Sequence, residues 1–275
     1  MRILHSVAAL ALTCFPASAQ DAELEAACKA RMGDPGARIA ACTELIDSGA
    51  YADQPWVFFR RGDAHGDADD HEAAVADHSR ALEIDLEYQP ALGGRVYSLL
   101  QLRRYEDMLA DTAHLVRVDP EDAWNHYMHG NALDRLGRDE EGVAAYGRAI
   151  ELDDDYYWPR LRRGALLLRL DRFDEAVRDL EGAKAILPFA TAPYEYLGNH
   201  YEDGGDTVEA AHNYGILFTL RPDRTDIEAR LSRLMPGLDP PALAPLDYLP
   251  PPEGLALQYL QVLLPYDTSD EMENA

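Results

Sequence analysis

The chain is short of positive charge, and this deficit excludes whole classes of partner. Its 275 residues hold 25 Lys and Arg against 50 Asp and Glu, a formal net charge of −25. A surface of that charge repels the phosphate backbone of nucleic acids and the headgroups of anionic lipids. We therefore expect a protein or peptide partner, not nucleic acid or a lipid surface. An acidic coat that serves only solubility is the alternative interpretation.

The sequence also lacks the motifs that enzymes and cofactor-binding proteins carry. It has no phosphate-binding glycine loop, no dinucleotide fingerprint and no nucleophile elbow. His126 and His129 have a spacing of three, which suits two metal ligands on one helix, but no nearby cysteine completes a site. The sequence therefore predicts no catalytic residues, no cofactor and no metal site. An enzyme with an unrecognised site is a further alternative, because a fold does not exclude an activity.

Long apolar runs are absent except near the N-terminus. There Arg2 precedes an almost wholly apolar stretch, residues 3–15, and the small residues Ala17, Ser18 and Ala19 follow. The stretch is too short for a retained membrane span, and the pattern is that of a cleaved signal peptide. We expect a signal peptide over residues 1–19, cleavage after Ala19 and a periplasmic or secreted location.

Cysteine is scarce as well. Of three cysteines, Cys14 would leave with the signal peptide, and Cys28 and Cys42 would remain. An even pair in an exported protein predicts a disulfide. The two cysteines are too far apart in sequence to form the redox motif in which two residues separate two cysteines.

What the sequence has in abundance is repetition, with a period of about 34 residues. Three sets of small or helix-ending residues follow this period: Pro120, Pro188 and Pro222; Gly62, Gly130, Gly164 and Gly198; and Ala74, Ala176 and Ala210. Each unit contains two apolar-periodic stretches of about a dozen residues around a polar turn, which predicts a helical hairpin. The small residues allow the two helices to approach closely, and the prolines end the second helix.

One unit resembles a known family closely. Tyr194-x2-Leu197-Gly198-x2-Tyr201, followed by Ala210-x3-Tyr214 and Pro222, is similar to the tetratricopeptide repeat signature. Four units that start near residues 55, 89, 123 and 157 match less fully. A degenerate hairpin, with helices at about 22–32 and 35–48, precedes them, and its Cys42 stands where the family usually has an aromatic residue.

The resemblance implies the fold and a type of function. The fold is an all-α, right-handed superhelical solenoid of about six hairpins over residues 20–235, which includes a capping helix at about 226–235 rich in arginine. The implied function is a non-catalytic scaffold for protein–protein interaction. Together with the predicted signal peptide, this places the scaffold in the cell envelope.

In this family the first helix of each hairpin lines a groove that binds a protein or peptide. Carried over residue by residue, the matching positions predict a binding surface of Trp56, Phe59, Tyr97, Trp124, Tyr127, Asn131, Arg135, Trp158, Arg169 and Asn199. The lysine positions of carboxylate-binding members hold other residues here, Phe59, Tyr127 and Glu195 among them, so we expect an apolar or mixed ligand. The alternative is that the three tryptophans pack between hairpins.

The C-terminal segment, 236–275, has a different composition, with eight prolines and no Lys or Arg. Within it, Gly254–Leu264 is strongly apolar and too short to span a membrane. We expect this stretch to form a helix that packs on the last hairpin around Tyr214, Leu217 and Leu231. Two alternatives are that it lies in the groove, or that it docks the chain as a structural subunit of an envelope complex.

Overall fold

The computed structural model of the protein describes residues 19–236, so the predicted signal peptide and nearly all of the proline-rich tail lie outside the described residues. Across that range the chain forms thirteen α-helices and no strand, which confirms the all-α class. Their bounds are α1 Ala19–Lys29, α2 Pro35–Asp47, α3 Pro55–Gly66, α4 His71–Ile84, α5 Gln89–Gln101, α6 Tyr105–Val118, α7 Ala123–Arg135, α8 Asp139–Leu152, α9 Tyr157–Arg169, α10 Phe173–Ile186, α11 Ala192–Gly204, α12 Thr207–Leu220 and α13 Thr225–Leu234.

The helices α1–α12 follow one another as six helical hairpins, and α13 follows the sixth, as predicted. The degenerate first helix begins and ends slightly earlier than the predicted 22–32. Pro120, Pro188 and Pro222 each lie just beyond the end of a second helix. A proline there cannot continue the helix, which explains its period.

The chain divides into two compact units, residues 1–98 and residues 99–275, with the boundary inside α5. In the first unit α1 and α2 are joined by a disulfide between Cys28 and Cys42, and both cysteines are completely buried. The predicted disulfide is therefore present in the structure. It replaces the aromatic packing that the family usually has at this position.

The second unit contains α6–α13. Its interior includes a cluster around Tyr157, Leu161, Leu180 and Leu197, and another around Tyr214, Leu217, Ile227 and Leu231. Tyr214, Leu217 and Leu231, the residues predicted to receive the apolar tail segment, are thus buried core residues. The segment itself, residues 254–264, lies outside the described residues.

The turn inside each of the last five hairpins has the same backbone conformation at the same repeat position. Asp69, Arg103, Gly137, Asp171 and Gly205 stand one repeat apart from one another, and their φ angles lie between 55° and 83°. This left-handed conformation is unfavourable for residues with a Cβ. The hairpin geometry therefore imposes it even where glycine is absent.

The arginine-rich helix α13 covers the end of α11, which confirms its interpretation as a cap. Arg224 forms an ion pair with Glu195 at 2.8 Å, and Arg230 pairs with Glu202 at 2.7 Å. Arg233 also contacts Glu202. On its other face, Ile227 and Leu231 are buried, so α13 covers apolar surface that another hairpin would otherwise cover.

Candidate peptide-binding surface

The first helices of neighbouring hairpins lie against one another, α1 against α3 in the first unit and α7, α9 and α11 in the second. Their second positions hold the three tryptophans, and all three side chains are half-buried. Trp56 makes an edge-on contact with Tyr51 at 5.9 Å, and the Nζ of Lys29 lies 4.3 Å above its ring. Trp56 is therefore held by residues of its own unit, as the packing alternative proposed.

A similar contact recurs at the fifth repeat position of α3, α7, α9 and α11. The residue that makes this contact lies just before the helix that begins the following hairpin or cap. Tyr88 lies 5.8 Å from Phe59 and Tyr156 lies 5.4 Å from Tyr127, measured between ring centroids. Ala190 packs against the cluster that contains Leu161. At the C-terminal end the same relation is the ion pair of Glu195 with Arg224.

This contact involves two of the predicted groove residues. Tyr127 is only 7% exposed, and Phe59 is half-buried beneath Tyr88. Both side chains therefore contribute to packing between successive hairpins within their own units. The sequence reasoning missed Tyr88 and Tyr156, although their spacing of two full repeats is a signal that could have identified them.

The two asparagines predicted to bind a peptide backbone are engaged inside the protein. Asn131 is 3% exposed. The Oδ1 of Asn199 accepts hydrogen bonds from the Tyr214 hydroxyl at 2.7 Å and from Arg230 Nη1 at 2.9 Å. The sequence could not show this for Asn199, because the repeat pattern does not indicate that the capping helix brings the Arg230 side chain to it.

The predicted residues that stay accessible in the second unit lie on α7 and α9. Trp124 and Trp158 are half-buried, and Arg135 and Arg169 are exposed. The Nη2 of Arg169 donates to Asp134 at 2.8 Å and to Asp139 at 2.9 Å, which connects α9 to the preceding hairpin. Two aromatic and two cationic side chains thus share neighbouring first helices.

In the first unit, the predicted groove residue Tyr97 of α5 and Asp63 of α3 lie on the first helices. Tyr97 is half-buried and makes an edge-on contact with His71 at 6.1 Å. Asp63 lies four residues after Phe59, and burial raises its pKa to about 6. The guanidinium of Arg60, 3.5 Å away, acts in the opposite direction and lowers the pKa. The charge of Asp63 therefore changes just below neutral pH.

His126 and His129 have structural partners. The Nε2 of His126 is 2.9 Å from the carbonyl oxygen of Pro120, and the Nδ1 of His129 is 3.1 Å from the Thr112 hydroxyl. Within residues 19–236 no group of three or more His, Cys, Asp or Glu side chains is arranged to hold a metal ion. In the same range, none of the helices has the length and apolar content to cross a membrane.

Comparison with known proteins identifies the repeat. The sequence profile of the tetratricopeptide repeat matches residues 125–156, which span most of α7 and all of α8. The structure of MamA from Desulfovibrio magneticus RS-1 superposes with a TM-score of 0.58 at 20% identity, over 62% of this chain and 97% of that chain. YrrB, described as a tetratricopeptide repeat protein with an unusual peptide-binding site, has a TM-score of 0.57 at 19% identity, over 69% of this chain and 96% of that chain. Residues 125–156 thus match a tetratricopeptide repeat, and the chain has the fold of solved tetratricopeptide repeat proteins.

The likeness extends to TTC0263 of Thermus thermophilus, another tetratricopeptide repeat protein, with a TM-score of 0.51 at 20% identity over 66% of this chain and 98% of that chain. No curated protein sequence matches the chain. At these identities the solved structures establish only the fold of this chain, and its function has to be argued from its own surface.

Proposed function

We propose that this chain is a non-catalytic scaffold of the cell envelope that binds an extended segment of a partner protein across α7 and α9. The observation that carries the proposal is the accessibility of Trp124, Arg135, Trp158 and Arg169 on these adjacent helices. The fifth-position residues beside them are covered by the next hairpin, so the accessible side chains are the ones that a ligand can reach.

The chemistry of these side chains indicates the kind of segment that fits. Tryptophan offers a large contact area at a small entropic cost, and arginine can stack on aromatic rings or bind carbonyl oxygens. Tryptophan and arginine are also the residues that most often dominate binding energy at interfaces. Since the chain as a whole is strongly acidic, we expect a segment that is apolar or mixed and that carries no large negative charge.

The peptide-binding site of YrrB supports the proposal at the level of the fold. It shows that a protein of this architecture binds peptides. It does not transfer any residue to this chain, because the two proteins share 19% identity.

The test is a binding comparison between matched tryptophan and phenylalanine variants. A tagged copy of the chain is purified from the envelope fraction of its host, and the co-purifying protein is then produced separately for calorimetric titration. We expect Trp124→Ala and Trp158→Ala each to weaken binding about tenfold or more. Phe173→Ala removes an aromatic side chain that is 44% exposed on α10 and should leave the affinity unchanged. Equal affinity in all three variants would place the binding surface elsewhere.

The envelope location rests on the predicted signal peptide, and it has its own test. Mass spectrometry of the protein isolated from its host should give a mature chain that begins at Gln20. An intact N-terminus on a cytoplasmic protein would contradict the location while leaving the binding surface on α7 and α9 untouched.

A further inference from the structure

The second unit contains a cavity on the side of α9 that faces away from the proposed binding surface. Its volume is about 480 Å³, and it is lined by residues of α8, α9 and α10 together with Arg172, which precedes α10. From α9 it receives Arg163 and Leu167, and at about 100° per residue Leu167 lies opposite Trp158. A cavity of this size can hold a small organic ligand.

Arginines are concentrated around this cavity, although the chain as a whole is strongly acidic. Four arginines line it, Arg148, Arg163, Arg172 and Arg178, against the three carboxylates of Glu151, Glu175 and Asp179. The lining alone sums to +1, but Arg148 also pairs with Glu121 and Arg172 with Glu140, so among the described residues Arg163 and Arg178 are the arginines of the lining without a carboxylate partner from outside it. Guanidinium groups bind oxyanions through parallel N–H···O hydrogen bonds.

Two of these arginines are oriented by carboxylates of the same cavity. Arg163 donates to both oxygens of the buried Asp179, at 2.6 and 2.7 Å. Arg172 does the same with Glu175, at 2.7 and 2.8 Å. Because a guanidinium has five N–H donors, a bidentate pair leaves further donors for a ligand.

Within the described residues, the Nη1 of Arg163 has no hydroxyl acceptor of the kind that the equivalent arginines of other hairpins use. In the first unit, Arg61 Nη1 donates to the Thr43 hydroxyl at 3.2 Å, and Arg95 Nη1 donates to the Ser79 hydroxyl at 2.9 Å. The residue that corresponds to Ser79, two repeats later, is Gly147. A Cβ on Gly147 would lie 3.0 Å from Arg163 Nη1, so this nitrogen lies next to the residue that carries the hydroxyl acceptor in the equivalent pair.

Arg178 supplies a second available cation at the same place. It is exposed and lines the cavity, and it forms no ion pair within 4 Å among the described residues, although, together with the hydrogen bond from Arg172, its charge helps to lower the pKa of Glu175. The equivalent positions in the other hairpins hold Ala76, Ala110, Ala144 and His212. An arginine at this position is thus specific to the hairpin that contains the cavity and is not a general feature of the repeat.

We propose that this cavity binds a carboxylate with an apolar substituent, held by Arg178 and by Nη1 of Arg163. Because Glu151 and Glu175 also line the cavity, their charges oppose a phosphate dianion more strongly than a singly charged carboxylate. Val143, Ala144 and Leu167 supply the apolar part of the lining. The proposal does not depend on the partner that binds across α7 and α9.

The experiment uses N-acetyl-leucine as the probe, with N-acetyl-leucinamide and inorganic phosphate as comparisons at constant ionic strength. Binding to the full chain is measured by calorimetry or ligand-observed NMR. N-acetyl-leucine should bind at least tenfold more tightly than its amide and more tightly than phosphate. Equal binding of the acid and the amide, tighter binding of phosphate, or no binding of the acid would each overturn the proposal.

Three variants connect the binding to the cavity. Arg178→Ala should weaken binding of N-acetyl-leucine at least tenfold, and Gly147→Ser should weaken it by restoring a hydroxyl acceptor for Arg163. Arg117→Ala, at an exposed position of α6, makes the same change in charge outside the cavity and should have no effect. Equal losses in Arg117→Ala and Arg178→Ala would show that the anion responds only to overall charge. Unchanged melting temperatures confirm that each variant is folded.

Discussion

Gly164 in α9 lies directly against Leu180 in α10, so closely that a Cβ on the glycine would be 2.8 Å from the Leu180 Cγ. The same relation within a hairpin places Gly130 against Tyr146 and Gly198 against Tyr214. In each case the first helix provides a glycine where the second helix provides a large buried side chain. This contact explains why glycine recurs with the period of the repeat.

Replacing Gly164 should therefore destabilise the second unit. We expect Gly164→Leu to lower the free energy of unfolding by about 1–3 kcal/mol, because the added side chain overpacks the contact with Leu180. Chemical denaturation followed by circular dichroism measures the change. Gly66→Leu is the control, since a Cβ at Gly66 meets nothing within 4 Å. An unchanged denaturation curve for Gly164→Leu would contradict the proposed close approach.

Arg103 should be a site where glycine stabilises the protein. Its φ angle is 55°, and glycine occupies the equivalent turn position at Gly137 and Gly205. Arg103→Gly removes a left-handed strain of about 1–2 kcal/mol but adds freedom to the unfolded chain, so we expect a net gain of about 0.5 kcal/mol. The reverse change, Gly137→Ala, should be destabilising. A loss of stability in Arg103→Gly would show that its side chain matters more than the backbone conformation.

His78 should make the first unit sensitive to acid. The side chain is 1% exposed, and it lies between Gly62 and Gly94, where an added Cβ would approach its ring to 2.7 and 2.6 Å. Phe59 packs on the imidazole, and desolvation together with the nearby charge of Arg95 lowers the pKa of His78 to about 3. The folded protein thus keeps this imidazole neutral at a pH where the unfolded chain, with a pKa of about 6.5, takes up a proton.

Acid should therefore lower the free energy of unfolding. The contribution of His78 to stability is fully present above about pH 6.5 and is lost as the pH falls towards 3. Between pH 7 and pH 5 the loss should be about 2 kcal/mol. His78→Leu removes the titrating group, so the difference in unfolding free energy between wild type and variant should change over this interval. A constant difference would mean that the folded and unfolded states bind the proton of His78 equally, so that its pKa is not lowered on folding.

The disulfide between Cys28 and Cys42 should stabilise the first hairpin. It closes a loop over a sequence separation of 14, for which loss of entropy in the unfolded chain predicts about 3 kcal/mol. Reduction, or the double change Cys28→Ala and Cys42→Ala, should lower the unfolding free energy by about that amount. Mass spectrometry of the chain that begins at Gln20 should show a cross-linked peptide and no free thiol. Alkylation of both cysteines without prior reduction would contradict the bond.

Local signals in the sequence were enough to predict the class of fold, the six hairpins and the cap. The period of the repeat, the helix-ending prolines and the glycines of the close contacts all act over one hairpin. Hydrogen bonds along a helix and the approach of two consecutive helices depend on residues near in sequence. The disulfide of Cys28 with Cys42 likewise joins the two helices of one hairpin, which are neighbours in the sequence.

Contacts between hairpins, and contacts with the capping helix, determine which side chains are accessible. Tyr127 and Asn131 occupy positions typical of a binding groove, yet both are buried, and Asn199 is occupied by Arg230 of α13. Likewise, Arg163 has the sequence context of its repeat equivalents, but its Nη1 meets Gly147 and not a hydroxyl. Whether a side chain is free for a ligand depends on atoms that come from other hairpins. Only the tertiary structure brings those atoms together, since the repeat pattern specifies positions and not their neighbours.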